Sequence, residues 1–121
     1  MAHILVLDDI SDAGMLVKRI LERKGHKVFS FTEEEDALKH AAGNPVDLAI
    51  LDIKLKKMTG VEALEELKKI HPDMKAIMLT GYPTLETARE SLRLGAEEYC
   101  VKPINKEELE AKVAEVLGIE E

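Results

Sequence analysis

Four short polar clusters carry groups that could act together on a phosphoryl group: Asp8-Asp9, Asp52, Thr80-Gly81 and Lys102-Pro103. Three carboxylates brought together repel one another, which either raises their pKa values or recruits a cation. An all-oxygen donor set suits a hard ion. With few carboxylates, room for water and a phosphate to share, Mg2+ fits better than a caged Ca2+. Zn2+ is poorly served, because Cys100 lies within an apolar run and the four His residues lack ligand spacing. Lys102 supplies a positive charge opposite the acids, Thr80 a hydroxyl donor, and Gly81 an approachable backbone N–H. A carboxylate is a competent nucleophile towards phosphorus, giving an acyl phosphate. Such transfer is mostly positioning plus neutralisation of the phosphoryl oxygens. No Ser, Cys or His sits beside a plausible base, and neither a G-x-G-x-x-G nor a G-x-x-x-x-G-K-[ST] loop is present to cradle a nucleotide.

These clusters share one position relative to the apolar pattern. Five apolar runs, His3–Leu7, Lys27–Phe31, Asp47–Leu51, Lys75–Leu79 and Glu97–Val101, alternate with five longer segments of helical spacing. Ile4-Leu5-Val6-Leu7 and Leu48-Ala49-Ile50-Leu51 are continuous rather than alternating, as in strands covered on both faces of a parallel sheet. Helical spacing appears in Met15, Leu16, Ile20 and Leu21, in Val61, Leu64, Leu67 and Ile70, and in Leu109, Val113, Val116 and Leu117. Thr32-x-x-Glu35 and Asn105-x-x-Glu108 read as helix starts. Gly25, Pro72 after His71, Gly95 and Gly118 read as stops. Strand and helix alternating five times predicts a doubly wound α/β domain with right-handed crossovers. Ligands of such sheets bind beyond the carboxyl ends of the strands. Four of the five runs end there in an acid, a hydroxyl or an ammonium.

At 121 residues the chain has the size of one domain, expected to occupy 1–121. Apolar residues at 45% and charged residues at 34% exclude a disordered or fibrous chain. Seventeen basic against 24 acidic residues give a net charge of −7, the wrong sign for grasping nucleic acid or an anionic membrane. No run reaches the ~18 apolar residues of a membrane span. The single cysteine excludes an internal disulfide and suits a reducing cytoplasm.

Asp8-Asp9, Leu51-Asp52, Leu79-Thr80-Gly81 and Tyr99-Cys-Val-Lys102-Pro103 resemble the receiver domain of two-component response regulators, over essentially the whole chain and in the right order. The resemblance implies a five-stranded parallel sheet of order 2-1-3-4-5. It implies that Asp52 accepts a phosphoryl group from the phosphohistidine of a sensor histidine kinase. Asp9 would bind Mg2+ (with Mn2+ as a substitute) together with Asp52 and the backbone carbonyl of Lys54, Asp8 acting mainly through water. Lys102 would pair with the phosphoryl oxygens. Thr80 would swing towards them and Tyr99 turn inward after it, and the peptide before Pro103 would be cis. This movement would remodel the surface of the fourth helix, fifth strand and fifth helix for an output domain or partner, or for a phosphorylation-dependent homodimer. The expected role is a phosphoacceptor rather than a metabolic enzyme. The stretch from Thr80 to Ala96 looks most like receivers that precede transcription-activating domains.

The chain departs from the family pattern at Lys56, where proline is common, so the Lys54-Leu-Lys-Lys57 loop is expected to be more basic and more flexible. Lys54 and Tyr82 occupy positions that tune loss of the phosphoryl group, and Tyr82 is bulky enough to shield it. Plainer readings hold for several residues. Glu33-Glu-Glu-Asp36 reads as a solvated first turn, His71 as a macrodipole partner, and Cys100 as a small buried hydrophobe. Two other functions compete: a receiver-like module that binds its partner regardless of phosphorylation, and an Asp-nucleophile phosphatase. The second expects another Asp two residues after the first-strand nucleophile, where this chain has Ile10. A flavin-binding domain is the poorest match, since acids line the first loop.

Overall fold

The structure, a computed structural model, describes residues 1–119. Strands β1 (His3–Leu7), β2 (Lys27–Phe31), β3 (Leu48–Leu51), β4 (Lys75–Thr80) and β5 (Glu98–Val101) alternate with helices α1 (Ser11–Glu22), α2 (Glu34–Gly43), α3 (Gly60–Ile70), α4 (Leu85–Arg93) and α5 (Lys106–Leu117). All strand pairings are parallel, in the order β2-β1-β3-β4-β5. The doubly wound reading therefore stands, with each strand boundary within one residue of its apolar run.

Alternation of side chains across each strand divides the core in two. Leu5, Leu7, Ala49, Leu51, Ala76 and Met78 face α2 and α3. Ile4, Val6, Leu48, Ile50, Ile77 and Leu79 face α1 and α5. Strands buried on both sides must be apolar at every position, which explains the continuous runs.

Two local expectations need correction. In α1 the inward positions are Gly14, Val17 and Leu21, while Met15 and Leu16 are exposed. The helix is rotated so that Gly14 lies against the Ser30 hydroxyl. Thr32 does not cap α2, because the backbone stays extended through Glu33, leaving Thr32 outside the helix; Glu33 itself makes no side-chain cap. The capping box belongs instead to α3, where Thr59 Oγ1 accepts from Glu62 N–H and Glu62 accepts from Thr59 N–H. Asn105 does cap α5, accepting from Glu108 N–H at 2.8 Å. Gly118 ends that helix in the left-handed region, where a Cβ would be strained.

Candidate functional site

Register brings the acids together. Leu7 on β1 and Leu51 on β3 are partners, so Asp8 and Asp52 leave neighbouring strands side by side. Both stay in the ladder one step further, with Asp8 N–H donating to Phe31 O at 3.1 Å and Asp52 N–H to Leu7 O at 3.0 Å. Their side chains are enclosed, with residue exposures of 6% and 5%. Asp9 is half-buried beside them, and one carboxylate oxygen from each of Asp8, Asp9 and Asp52 lies within 4.8 Å of the others.

Lys102 follows β5 and reaches back over the sheet. Its Nζ donates to Asp8 Oδ2 at 2.6 Å and to Asp52 Oδ2 at 3.0 Å. Burial works against this ammonium, but the bonds to Asp8 and Asp52 and the charges of both more than offset it, so its pKa lies above the ordinary lysine value. The second oxygen of Asp8 accepts from Ile10 N–H at 2.9 Å, fixing the carboxylate's rotation. The Lys102–Pro103 peptide is cis.

Thr80 ends β4 fully buried, its Oγ1 accepting from Tyr82 N–H at 3.0 Å. Tyr99 lies on β5 beside Met78, and its hydroxyl is 2.7 Å from Thr87 Oγ1 on α4. Lys54, two residues after Asp52, sends its ammonium over the Tyr82 ring at 4.5 Å from the centroid, joining the β3–α3 and β4–α4 loops across the mouth of the acid pocket.

The β3–α3 loop doubles back so closely that a Cβ on Gly60 would overlap the Asp52 carbonyl oxygen. Gly60 N–H donates to Ile53 O at 2.7 Å, and Lys54 pairs antiparallel with Thr59. The acidic run on α2 is not merely solvated. Glu34 is 1% exposed, and its Oε1 accepts from Lys57 N–H at 2.9 Å. Burial opposes its charge, yet the backbone N–H groups facing it, Lys57 first, hold the carboxyl below the usual carboxylate range. A signal for this existed in the sequence: Glu34, Ala37 and Ala41 recur on one helical face, and all three are buried. His71 does more than face a dipole, since its Nε2 lies 2.7 Å from Ala41 O and ties α3 to α2.

The oxygen-only donors, two of them buried and all within reach of one point, fit a hard divalent cation. A profile of the response regulator receiver domain matches residues 4–114. The chain belongs to that family. Among curated proteins this receiver is similar to the transcriptional regulatory protein ZraR of Klebsiella oxytoca, 31% identical over 115 residues, or 95% of the chain and 26% of ZraR. The chain thus spans about a quarter of that relative's length. Among solved structures the receiver resembles a CheY-like receiver domain protein from Methanospirillum hungatei (TM-score 0.94, 38% identity, covering 98% of this chain and 94% of that one). It also resembles TrrA from Thermotoga maritima in complex with Mg2+–BeF (TM-score 0.84, 35% identity, 96% and 99%). A third similar structure, a response regulator from Burkholderia pseudomallei, carries a phosphorylated aspartic acid and a calcium ion (TM-score 0.87, 29% identity, 96% and 66%). Among the described residues no helix is long and apolar enough to cross a membrane.

Proposed function

We propose that residues 1–121 form a receiver domain whose Asp52 accepts a phosphoryl group from a sensor histidine kinase in the cytoplasm. The observation that carries this reading is the shared hold of Lys102 on Asp8 and Asp52, beside a third carboxylate. Three acids and one ammonium form an incomplete electrostatic set, which a divalent cation and a phosphoryl group together would complete.

The residues act as follows. An Asp52 oxygen forms a bond to phosphorus as the bond from phosphorus to the donor imidazole nitrogen breaks, and the imidazole leaves with the electron pair. Asp8, Asp9, Asp52 and the Lys54 carbonyl would hold Mg2+, for which Mn2+ could substitute. When bound, the ion neutralises developing charge on the phosphoryl oxygens. Lys102 exchanges a carboxylate partner for a phosphoryl oxygen, so its charge stays paired throughout. Thr80 releases Tyr82 N–H and turns its hydroxyl to the same group. Tyr99 then leaves Thr87 and turns inward, changing the α4–β5–α5 surface for an output domain, a partner protein or a second phosphorylated copy. Likeness to ZraR supports a transcriptional output.

Kinase docking is supported by an apolar groove of about 420 Å³ between α1 and α5, lined by Leu16, Ile20, Ile104 and Leu109 and ending at Lys102 and Pro103.

The test is incubation with acetyl phosphate and Mg2+, followed by intact mass measurement. One added phosphoryl group is expected in the parent and none in Asp52→Asn. No gain in the parent, or a gain that survives the substitution, overturns the assignment.

A further inference from the structure

The loop that follows Asp52 carries three lysines in four residues, Lys54-Leu-Lys-Lys57, and its ends alone do not account for its path. Three ties fix it. Lys54 pairs with Thr59, Lys56 Nζ meets Glu33 Oε2 at 2.6 Å, and Lys57 N–H donates to Glu34 Oε1 at 2.9 Å. The Lys56–Glu33 pair is exposed, and such pairs contribute little. The Glu34 bond is different in kind. It is charge-assisted, enclosed, and joins positions 23 residues apart. Glu34 Oε2 is the one buried side-chain oxygen without a partner among the described residues. Burying a carboxylate is costly, and what offsets the cost is the backbone N–H groups of the same loop, Lys57 first, then Met58 and Lys56. An apolar residue at position 34 would suit the face it shares with Ala37 and Ala41 better. A carboxylate there serves the loop, not the core.

We infer that Glu34 is a positioning residue for the acceptor site: its buried carboxylate grips the Lys57 backbone and so holds the loop that presents the Lys54 carbonyl to the cation. The inference rests on the reading of Asp8, Asp9, Asp52 and Lys54 as the cation site. In effect an anion on α2 takes over the rigidity that a proline at position 56 would give. Groups bonded directly to a metal ligand commonly set metal affinity by 10- to 100-fold, and a hold on Lys57, three residues beyond Lys54, belongs at the lower end of that range.

The experiment compares the full chain with Glu34→Ala, Glu34→Asp and Glu34→Gln, by amide hydrogen exchange without divalent ions and by calorimetric titration with Mg2+. The parent should protect the Lys57 amide and bind Mg2+. Glu34→Ala should lose that protection and weaken Mg2+ roughly tenfold, about 1.4 kcal/mol, while the Leu109 and Val113 amides of α5 stay within about threefold. Glu34→Asp keeps the charge and is too short to reach, so it should behave like the alanine variant even if alanine fails to fold. Glu34→Gln keeps an acceptor oxygen at the right distance and should restore most of both signals. Equal Mg2+ affinity in the parent and a folded Glu34→Asp, or an unprotected Lys57 amide in the parent, overturns the clamp. A parent that binds no Mg2+ overturns the underlying site assignment instead, and the clamp's role falls with it.

Discussion

Replacing Lys102 by methionine keeps the unbranched apolar stem and removes the ammonium that Asp8 and Asp52 share. The two carboxylates are then left side by side, enclosed and uncompensated. Removing one member of a buried ion pair costs about 3–5 kcal/mol. The Lys102 side chain is 27% exposed, so solvent screens part of this and the lower figure, about 3 kcal/mol, applies. For a domain of this size each kcal/mol shifts Tm by roughly 3–6 °C, so the variant should melt on the order of 10 °C below the parent. Mg2+ should recover much of the loss. A ligand at a hundredfold its Kd adds about 2.7 kcal/mol to the folded state, and in the variant no ammonium competes for the same oxygens. Circular dichroism melts at pH 7, in EDTA and in excess Mg2+, measure both effects. The raised Lys102 pKa adds a third. Its contribution is complete below the ordinary lysine value near 10.5 and fades as pH climbs through the higher folded-state value, so the gap between parent and variant should close there. A variant that melts with the parent in EDTA, or gains no more than the parent from Mg2+, refutes the electrostatic account of the site.

Gly60→Ala should be severely destabilising or abolish Mg2+ binding, because its Cβ meets the backbone of Asp52 and Ile53, which cannot yield without moving Asp52; a Tm within about 3 °C of the parent would contradict this. Gly14→Ala meets only the Ser30 hydroxyl, at 2.5 Å, which can rotate away, and should cost less than about 1 kcal/mol by urea titration. Burial lowers the pKa of His26, aided by the N-terminal amine and Lys24, and burial lowers that of His40. The unfolded chain therefore binds more protons below the ordinary imidazole value near 6.5, and stability should fall as pH drops from about 7 to 5, by at most about 1.4 kcal/mol per pH unit for each ring. His26→Gln should flatten the urea midpoint's dependence over that range.

The strands and the acid pocket were legible because both follow from local pattern. A strand covered on two faces has to be apolar throughout, and a parallel sheet sends every strand's carboxyl end to one side. Asp8, Asp52 and Lys102 could therefore be brought together without knowing any contact. The errors lie where a side chain's partner is remote in sequence and carries no residue type of its own. Glu34 binds a backbone N–H, which any residue could supply, so nothing at position 57 announces the pairing. Its place on the Ala37–Ala41 face was the available sign, and the charge of the neighbouring acids masked it. Thr59 with Glu62 carries the same signature as Thr32 with Glu35, and the pattern alone does not distinguish the pair that begins a helix from the pair one residue too early. Met15 and Leu16 failed for a different reason. Apolar spacing fixes a helical face but not which face, and the small Gly14 beside Ser30 set the rotation.

The two loops flanking Asp52 are held by interactions of unequal strength, and that inequality determines which of them can respond. On the α3 side the chain is fixed by Gly60 packed on the Asp52 backbone, by a capping box and by an enclosed carboxylate, each costly to break. On the α4 side the ties are neutral, Thr80 to Tyr82 N–H, Tyr99 to Thr87 and the Thr84 cap on Thr87 N–H, at about 1 kcal/mol each. The Lys54–Tyr82 contact between the loops is exposed and adds about 0.5–1 kcal/mol. A phosphoryl group on Asp52 offers Thr80 a charged acceptor, and such bonds are worth roughly twice a neutral one. That surplus, about 1 kcal/mol, matches one neutral tie on the α4 side, such as Tyr99 to Thr87, and is smaller than the combined ties on the α3 side. On the proposed reading Asp52 is bounded by one wall that stays and one that yields, so a phosphoryl group there would read out on the α4–β5 surface.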